Sequence, residues 1–122
     1  MTRRAVQPAL PLTVPPMPPA VKAELRGQIM PGWGQQAACA SRQFDPDWWF
    51  APAGDTLQTV ARDICDGCPV RRSCLAHALV VNEPDGIWGG FDDSERAWLR
   101  LAVAEGTQVP AILDPYTRTA AA

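Results

Sequence analysis

Four cysteines constrain this chain more than any other feature: Cys39, Cys65, Cys68 and Cys74 are its whole thiol complement. Two residues separate Cys65 from Cys68, five separate Cys68 from Cys74, and twenty-five lie between Cys39 and Cys65. A Cys-x-x-Cys turn brings two sulfurs close enough to share one metal centre. Cys74 falls on the helix expected next. Helical side chains lean toward the N-terminus, so its sulfur is aimed back at the turn. Three candidate ligands thus come from one helix–turn–helix knuckle and the fourth from a distant loop. Three chemistries compete for such a set. Structural zinc takes four thiolates but usually pairs two short hairpins, and only one is present. A redox dithiol needs Cys65 and Cys68 alone and leaves Cys39 and Cys74 without a role. An iron–sulfur cluster wants thiolates at separated corners, which a clustered trio plus a remote ligand supplies. Spacing leaves all three open.

Charge narrows the partners. Eleven basic residues stand against thirteen acidic ones, a formal charge of −2. Nucleic-acid binding through phosphates draws on clustered Lys and Arg, so nonspecific DNA attraction is not the expected source of affinity. No apolar run approaches the roughly 18–20 residues that span a bilayer. The start, Thr2-Arg3-Arg4, superficially resembles a twin-arginine signal, but Pro8, Pro11, Pro15, Pro16, Pro18 and Pro19 interrupt the apolar stretch that export needs. A cytoplasmic location is expected, where thiols stay reduced and read as ligands or redox groups before structural disulfides. There is no Ser–His–Asp arrangement, phosphate-cradling glycine loop or evident carboxylate pair. The expectation is a non-enzyme with no small-molecule substrate.

The proline-rich stretch 1–28 is expected to be a largely disordered tail, apart from a short helix begun near Pro19 with Val21 and Leu25 on one face and Gly27 as its stop. Residues 106–122 are expected to be a flexible C-terminal tail. Between them, 29–105 forms the domain, of a size that often leans on a metal or on disulfides to offset chain entropy. Leu57, Val60, Ala61 and Ile64 predict a helix to Cys65, and Asp66-Gly67 makes the turn. A second helix is predicted with Cys68 near its N-cap, Pro69 at its first position, and Val70, Cys74, Leu75, Ala78 and Leu79 as its apolar stripe. After the turn Gly86-Ile87-Trp88-Gly89-Gly90, a last helix opens at Asp92 with Glu95 as a capping-box partner, burying Trp98, Leu101 and Ala102.

The run Ile64-Cys65-Asp66-Gly67-Cys68-Pro69-Val70-Arg71 resembles the WhiB-like family, and Cys74-Leu75, Ala78-Leu79, the Gly86–Gly90 turn and Glu95-Arg96 extend the likeness. Upstream, Trp33, Ala37-Ala38-Cys39, Asp45-Pro46 and Trp49-Phe50 are similar to it too. The resemblance spans about Trp33 to Arg100. It implies an all-α fold: a small helical domain wrapped around one 4Fe–4S cluster held by Cys39, Cys65, Cys68 and Cys74. It also implies a transcription regulator responsive to oxygen, nitric oxide or redox poise that binds the C-terminal domain of the principal sigma factor of RNA polymerase. Trp49, Phe50, Trp88 and Gly89 would then form the partner interface. One departure stands out. Many members carry a basic DNA-contacting segment beyond the glycine–tryptophan turn. Here only Arg96, Arg100 and Arg118 face Asp92, Asp93, Glu95, Glu105 and Asp114, so DNA contact is expected to be weak or indirect. The alternatives are an apo-form thiol–disulfide reductase using Cys65 and Cys68, and a zinc-stapled interaction module.

Single residues carry competing readings. Trp48, Trp49 and Phe50 cannot all face one core from a proline-bounded loop, so at least one is expected to be exposed or partner-covered. Trp88 reads as core packing or as a part-exposed contact. His77, three residues after Cys74, lies within helical reach of a metal, but four cysteines suffice and a plain packed histidine is expected. Arg71 and Arg72 sit where cations favour a negatively charged cluster, or are simply solvated. Arg96 and Arg100 offer a small electropositive face or an ordinary exposed one.

Overall fold

Prolines, glycines and short acidic caps decide where the helices begin and end. The computed structural model describes residues 14–116. Over them the chain runs through α1 (Pro19–Gly27), α2 (Trp33–Gln36), 3-10 turns at Ala38–Ala40 and Pro46–Phe50, α3 (Thr56–Asp66), α4 (Arg71–Val81), α5 (Asp93–Ala104), α6 (Val109–Leu113) and a 3-10 turn at Asp114–Tyr116. Among the described residues there is no β-strand, and the fold is all-α. None of these helices is long and apolar enough to cross a membrane. Proline opens α1, where a missing N–H costs nothing. The Asp55 carboxylate accepts the Leu57 N–H at 2.8 Å and starts α3. Asn82 closes α4 in the left-handed region at φ 54°. At α5 the expected capping box is complete: Asp92 accepts the Glu95 N–H and Glu95 accepts the Asp92 N–H, each at 2.8 Å.

Two of the helical expectations shift. α4 begins at Arg71, not Pro69, because Val70 sits at φ −115°, ψ 23°, outside the helical well. The ring of Pro69 also disfavours a helical Cys68 before it. On α3 the buried residues are Ala61 and Cys65, while Leu57 and Val60 are 43% and 36% exposed. The helix packs on the two 3-10 turns through its C-terminal half, which leaves its first turns uncovered. On α5 the buried positions are Arg96 and Val103, with Leu99 and Ala102 against the core. Trp98 and Leu101 are only half-buried.

Among the described residues there are two cores. The larger joins Leu25 of α1, Leu75, Ala76 and Leu79 of α4, Val103 of α5, and Val109, Ile112 and Leu113 of α6. The smaller joins Trp49, Ala61, Cys65 and Ile87, with Phe44, Trp48 and Ile64 alongside. The segment from Cys65 to Cys74 bridges them.

Parts of both expected tails pack on the large core. Within 1–28, Met17 and Leu25 are buried and α1 packs on α4. Within 106–122, α6 contributes three buried residues. Apolar spacing in these segments is sparse, but one face of each short helix meets α4, and that contact replaces intrinsic propensity. The expectation of disorder for residues 1–13 and 117–122 lies outside the described residues. So does Arg118.

Candidate metal centre

Local structure brings all four sulfurs to one place. Cys65 ends α3 and is buried, Cys68 follows the Asp66-Gly67 turn and is buried, Cys74 lies in the first turns of α4, and exposed Cys39 sits in the Ala38–Ala40 turn. All four thiols are free and line one cavity of about 250 Å³. Its walls are almost wholly apolar, including Trp33, Trp49, Phe50, Ile87 and Trp88, with Arg71 as its charged member.

Three of the four sulfurs also accept an N–H. The indole Nε1 of Trp49 donates to Cys65 Sγ at 3.3 Å, the amide of Ala38 to Cys68 Sγ at 3.4 Å, and the amide of Gly89 to Cys74 Sγ at 3.2 Å. The Gly90 backbone adds to the polar surroundings of Cys65. The Gly89 donor exists because of the turn around it. Trp88 and Phe91 exchange both backbone hydrogen bonds, at 3.0 and 3.1 Å, around Gly89 and Gly90. Both glycines have positive φ, 60° and 87°, as a two-residue type I′ turn demands. A Cβ on Gly89 would fall 2.7 Å from Leu75 Cβ, so the turn lies flat on α4 only as glycine.

Burial pushes the Cys74 thiol up from its usual 9.0 to about 12, against the lowering effect of the Gly89 amide, and the other three thiols add to the rise. Burial likewise raises Cys65, opposed by the Trp49 N–H and reinforced by Cys68. Cys39 is raised by burial and then by Cys68. Four thiolates in one apolar cavity need a cation to form, since each disfavours the charge of the next. Among the described residues, no three His, Cys, Asp or Glu side chains converge tightly enough to hold a single metal ion. Soft sulfurs around one cavity, three of them with an N–H donor, fit a metal centre.

Trp49 and Phe50 divide the work expected of them. Trp49 is buried beneath the cavity wall, whereas Phe50 is 58% exposed at its mouth with its ring over Gly86. Trp88 is half-buried and its Nε1 donates to the Asp85 carbonyl at 2.9 Å. The open part of the face expected from Trp49, Phe50, Trp88 and Gly89 is therefore Phe50 and Trp88, with Trp49 and Gly89 beneath. His77 packs between the Trp33 and Trp88 rings, 5.3 and 5.7 Å away, near Glu83 at 3.5 Å, and does not line the cavity.

Arginines do more here than their sequence positions suggested. Arg71 donates to the Gly89 carbonyl at 2.8 Å, pairs with Asp66 at 2.9 Å and lies 4.5 Å from the Tyr116 ring. Arg96 is 2% exposed, and its guanidinium donates to the carbonyls of Glu83, Asp85, Gly86 and Phe91. Arg100 donates to the Leu79 carbonyl. The electropositive face considered for Arg96 and Arg100 is thus an internal brace. The signal that marks it is a turn rich in glycine, whose carbonyls lack regular partners and call for a multidentate donor.

The family model described as Transcription factor WhiB matches residues 33–99, which contain all four cysteines and the glycine–tryptophan turn. The chain belongs to this family. Transcriptional regulator WhiD of Streptomyces coelicolor is 40% identical over 70 residues, covering 52% of this chain and 62% of that relative. Transcriptional regulator WhiB2 of Mycobacterium tuberculosis is 37% identical over 90 residues, covering 74% of this chain and 98% of the relative. Redox-responsive transcriptional regulator WhiB3 of Mycolicibacterium smegmatis is 37% identical over 83 residues, covering 59% and 86%. Among WhiB relatives, then, one carries redox response in its name.

Proposed function

We propose that this protein is a cytoplasmic, redox- or gas-responsive transcription regulator whose Cys39, Cys65, Cys68 and Cys74 hold one 4Fe–4S cluster, and which acts by binding the C-terminal domain of the principal sigma factor. The observation that carries the reading is the ring of four sulfurs around one apolar cavity, three of them accepting an N–H. Such a cluster supplies a centre that exchanges electrons and reacts with oxygen or nitric oxide. The chain's own residues do the rest. Trp33, Phe50 and Trp88 limit water at the cavity. Arg71 brings positive charge to a site where four thiolates leave a net negative one. The Cys39 turn is held to the knuckle by the Ala38–Cys68 hydrogen bond, so its position depends on what the sulfurs bind. Phe50 and Trp88 form the open aromatic face beside the centre, the residue type that dominates partner contacts. The braced Arg96 and Arg100 leave little basic surface beyond the turn, which favours a protein partner over direct DNA reading.

Burial raises the Cys65 thiol, so Cys65 is not itself an activated nucleophile for the reductase alternative, which needs a depressed pKa. The test is the visible spectrum, with iron and sulfide analysis, of protein purified without oxygen, followed by binding to the isolated sigma-factor domain. Brown protein with about four irons per chain that binds the domain, and loses binding after exposure to nitric oxide, supports the reading. Colourless protein carrying zinc overturns it.

A further inference from the structure

Trp49 differs from the other donors to these sulfurs. Ala38 and Gly89 act through backbone amides, placed by the path of the main chain and not by a side chain. Trp49 donates through its side chain, from a buried position, at 3.3 Å. Its carbonyl meanwhile accepts the Ile87 N–H at 2.7 Å, and its ring stacks on Trp48 at 15°. Two anchors thus fix the indole, so the N–H is held on Cys65 rather than free to turn to water. The bond lies in an apolar wall, where low dielectric strengthens it.

We propose that Trp49 sets the reduction potential of the centre through its indole N–H on Cys65 Sγ, as a positioning residue beneath the partner face. The inference rests on the cluster reading above. A donor aimed at a ligand sulfur stabilises the more negative, reduced state more than the oxidised one, so it raises the midpoint potential. The same residue joins the centre to the glycine–tryptophan turn through Ile87, and Gly89 closes the circuit on Cys74. Charge added to the sulfurs therefore acts on both hydrogen bonds that hold Trp88 between them.

The experiment compares the full chain, purified without oxygen, as wild type, Trp49→Phe, Trp48→Phe, and a form with 3-benzothienylalanine placed site-specifically at 49. The last keeps the indole's shape and lacks the N–H. Iron and sulfide content are measured first, then the midpoint potential by titration monitored with electron paramagnetic resonance. Full iron load with a lower potential in both position-49 variants, and an unchanged potential in Trp48→Phe, which keeps an aromatic ring stacked on Trp49, is the expected result. A wild-type potential in the loaded 3-benzothienylalanine form overturns the proposal, as does an equal shift in Trp48→Phe. Should Trp49→Phe fail to load, the shape-preserving form decides alone. A wild type without a cluster overturns the functional reading itself, and this inference with it.

Discussion

Arg96 shows how much one side chain holds up. Its guanidinium reaches the carbonyls of Glu83, Asp85, Gly86 and Phe91, so the whole approach to and exit from the glycine–tryptophan turn hangs on one planar group. Burial lowers its pKa, opposed by Asp93 and Asp92, and the charge is retained because the carbonyl dipoles surround it. Arg96→Leu strands several buried acceptors, at about 1–3 kcal/mol for each one left unsatisfied. Urea unfolding should show a loss of at least that size, and Arg96→Lys should recover little, because an ammonium cannot span the same fork. Gly89→Ala is a second probe. Its Cβ would press on Leu75 at a φ that only glycine adopts freely, lifting the Gly89 N–H off Cys74. The variant should retain less iron than wild type after desalting in air. Iron loss at the wild-type rate would show that this amide is dispensable.

Among the elements, α5 tests the capping argument. Asp92→Ala removes both the cap and the carboxylate that meets Arg62 at 3.1 Å. It should cost about 0.5–2 kcal/mol, read as a lower Tm by circular dichroism. This cap was legible in the sequence because Asp-x-x-Glu is local chemistry. So were the limits of α3 and the nearness of Cys65, Cys68 and Cys74, which a short turn fixes without help from the rest of the chain. Legibility failed where tertiary contact decides. Leu57 and Val60 fit the helical stripe of α3, yet no element covers its start. Pro110, which marked the C-terminal stretch as a tail, instead lies in the first turn of α6, whose Val109, Ile112 and Leu113 find α4. Arg96 looked like a surface charge because periodicity says nothing about carbonyls awaiting donors.

For the whole molecule, the four-thiol cavity links stability to what fills it. In the metal-free chain the Cys74 thiol is raised to about 12 from 9.0. The folded state therefore holds its proton where the unfolded state has lost it. That stabilisation is complete below pH 9 and disappears as pH rises toward 12. Thermal melts of metal-free protein should give a lower Tm at pH 10 than at pH 8, and a Tm independent of pH over that range would place Cys74 outside the cavity. Arg72, on α4 beside these ligands, bonds Gln28 at 2.8 Å on one side and pairs with Asp114 on the other at 2.6 Å. Neither partner lies within 33–99, the stretch that carries the family likeness. Nor do Leu25, Val103, Val109, Ile112 and Leu113, most of the large core. The stretch by which the protein is recognised is thus smaller than the one that stands by itself. Anyone trimming or grafting this domain should take its flanks as part of the instrument, since they are the back of the cage.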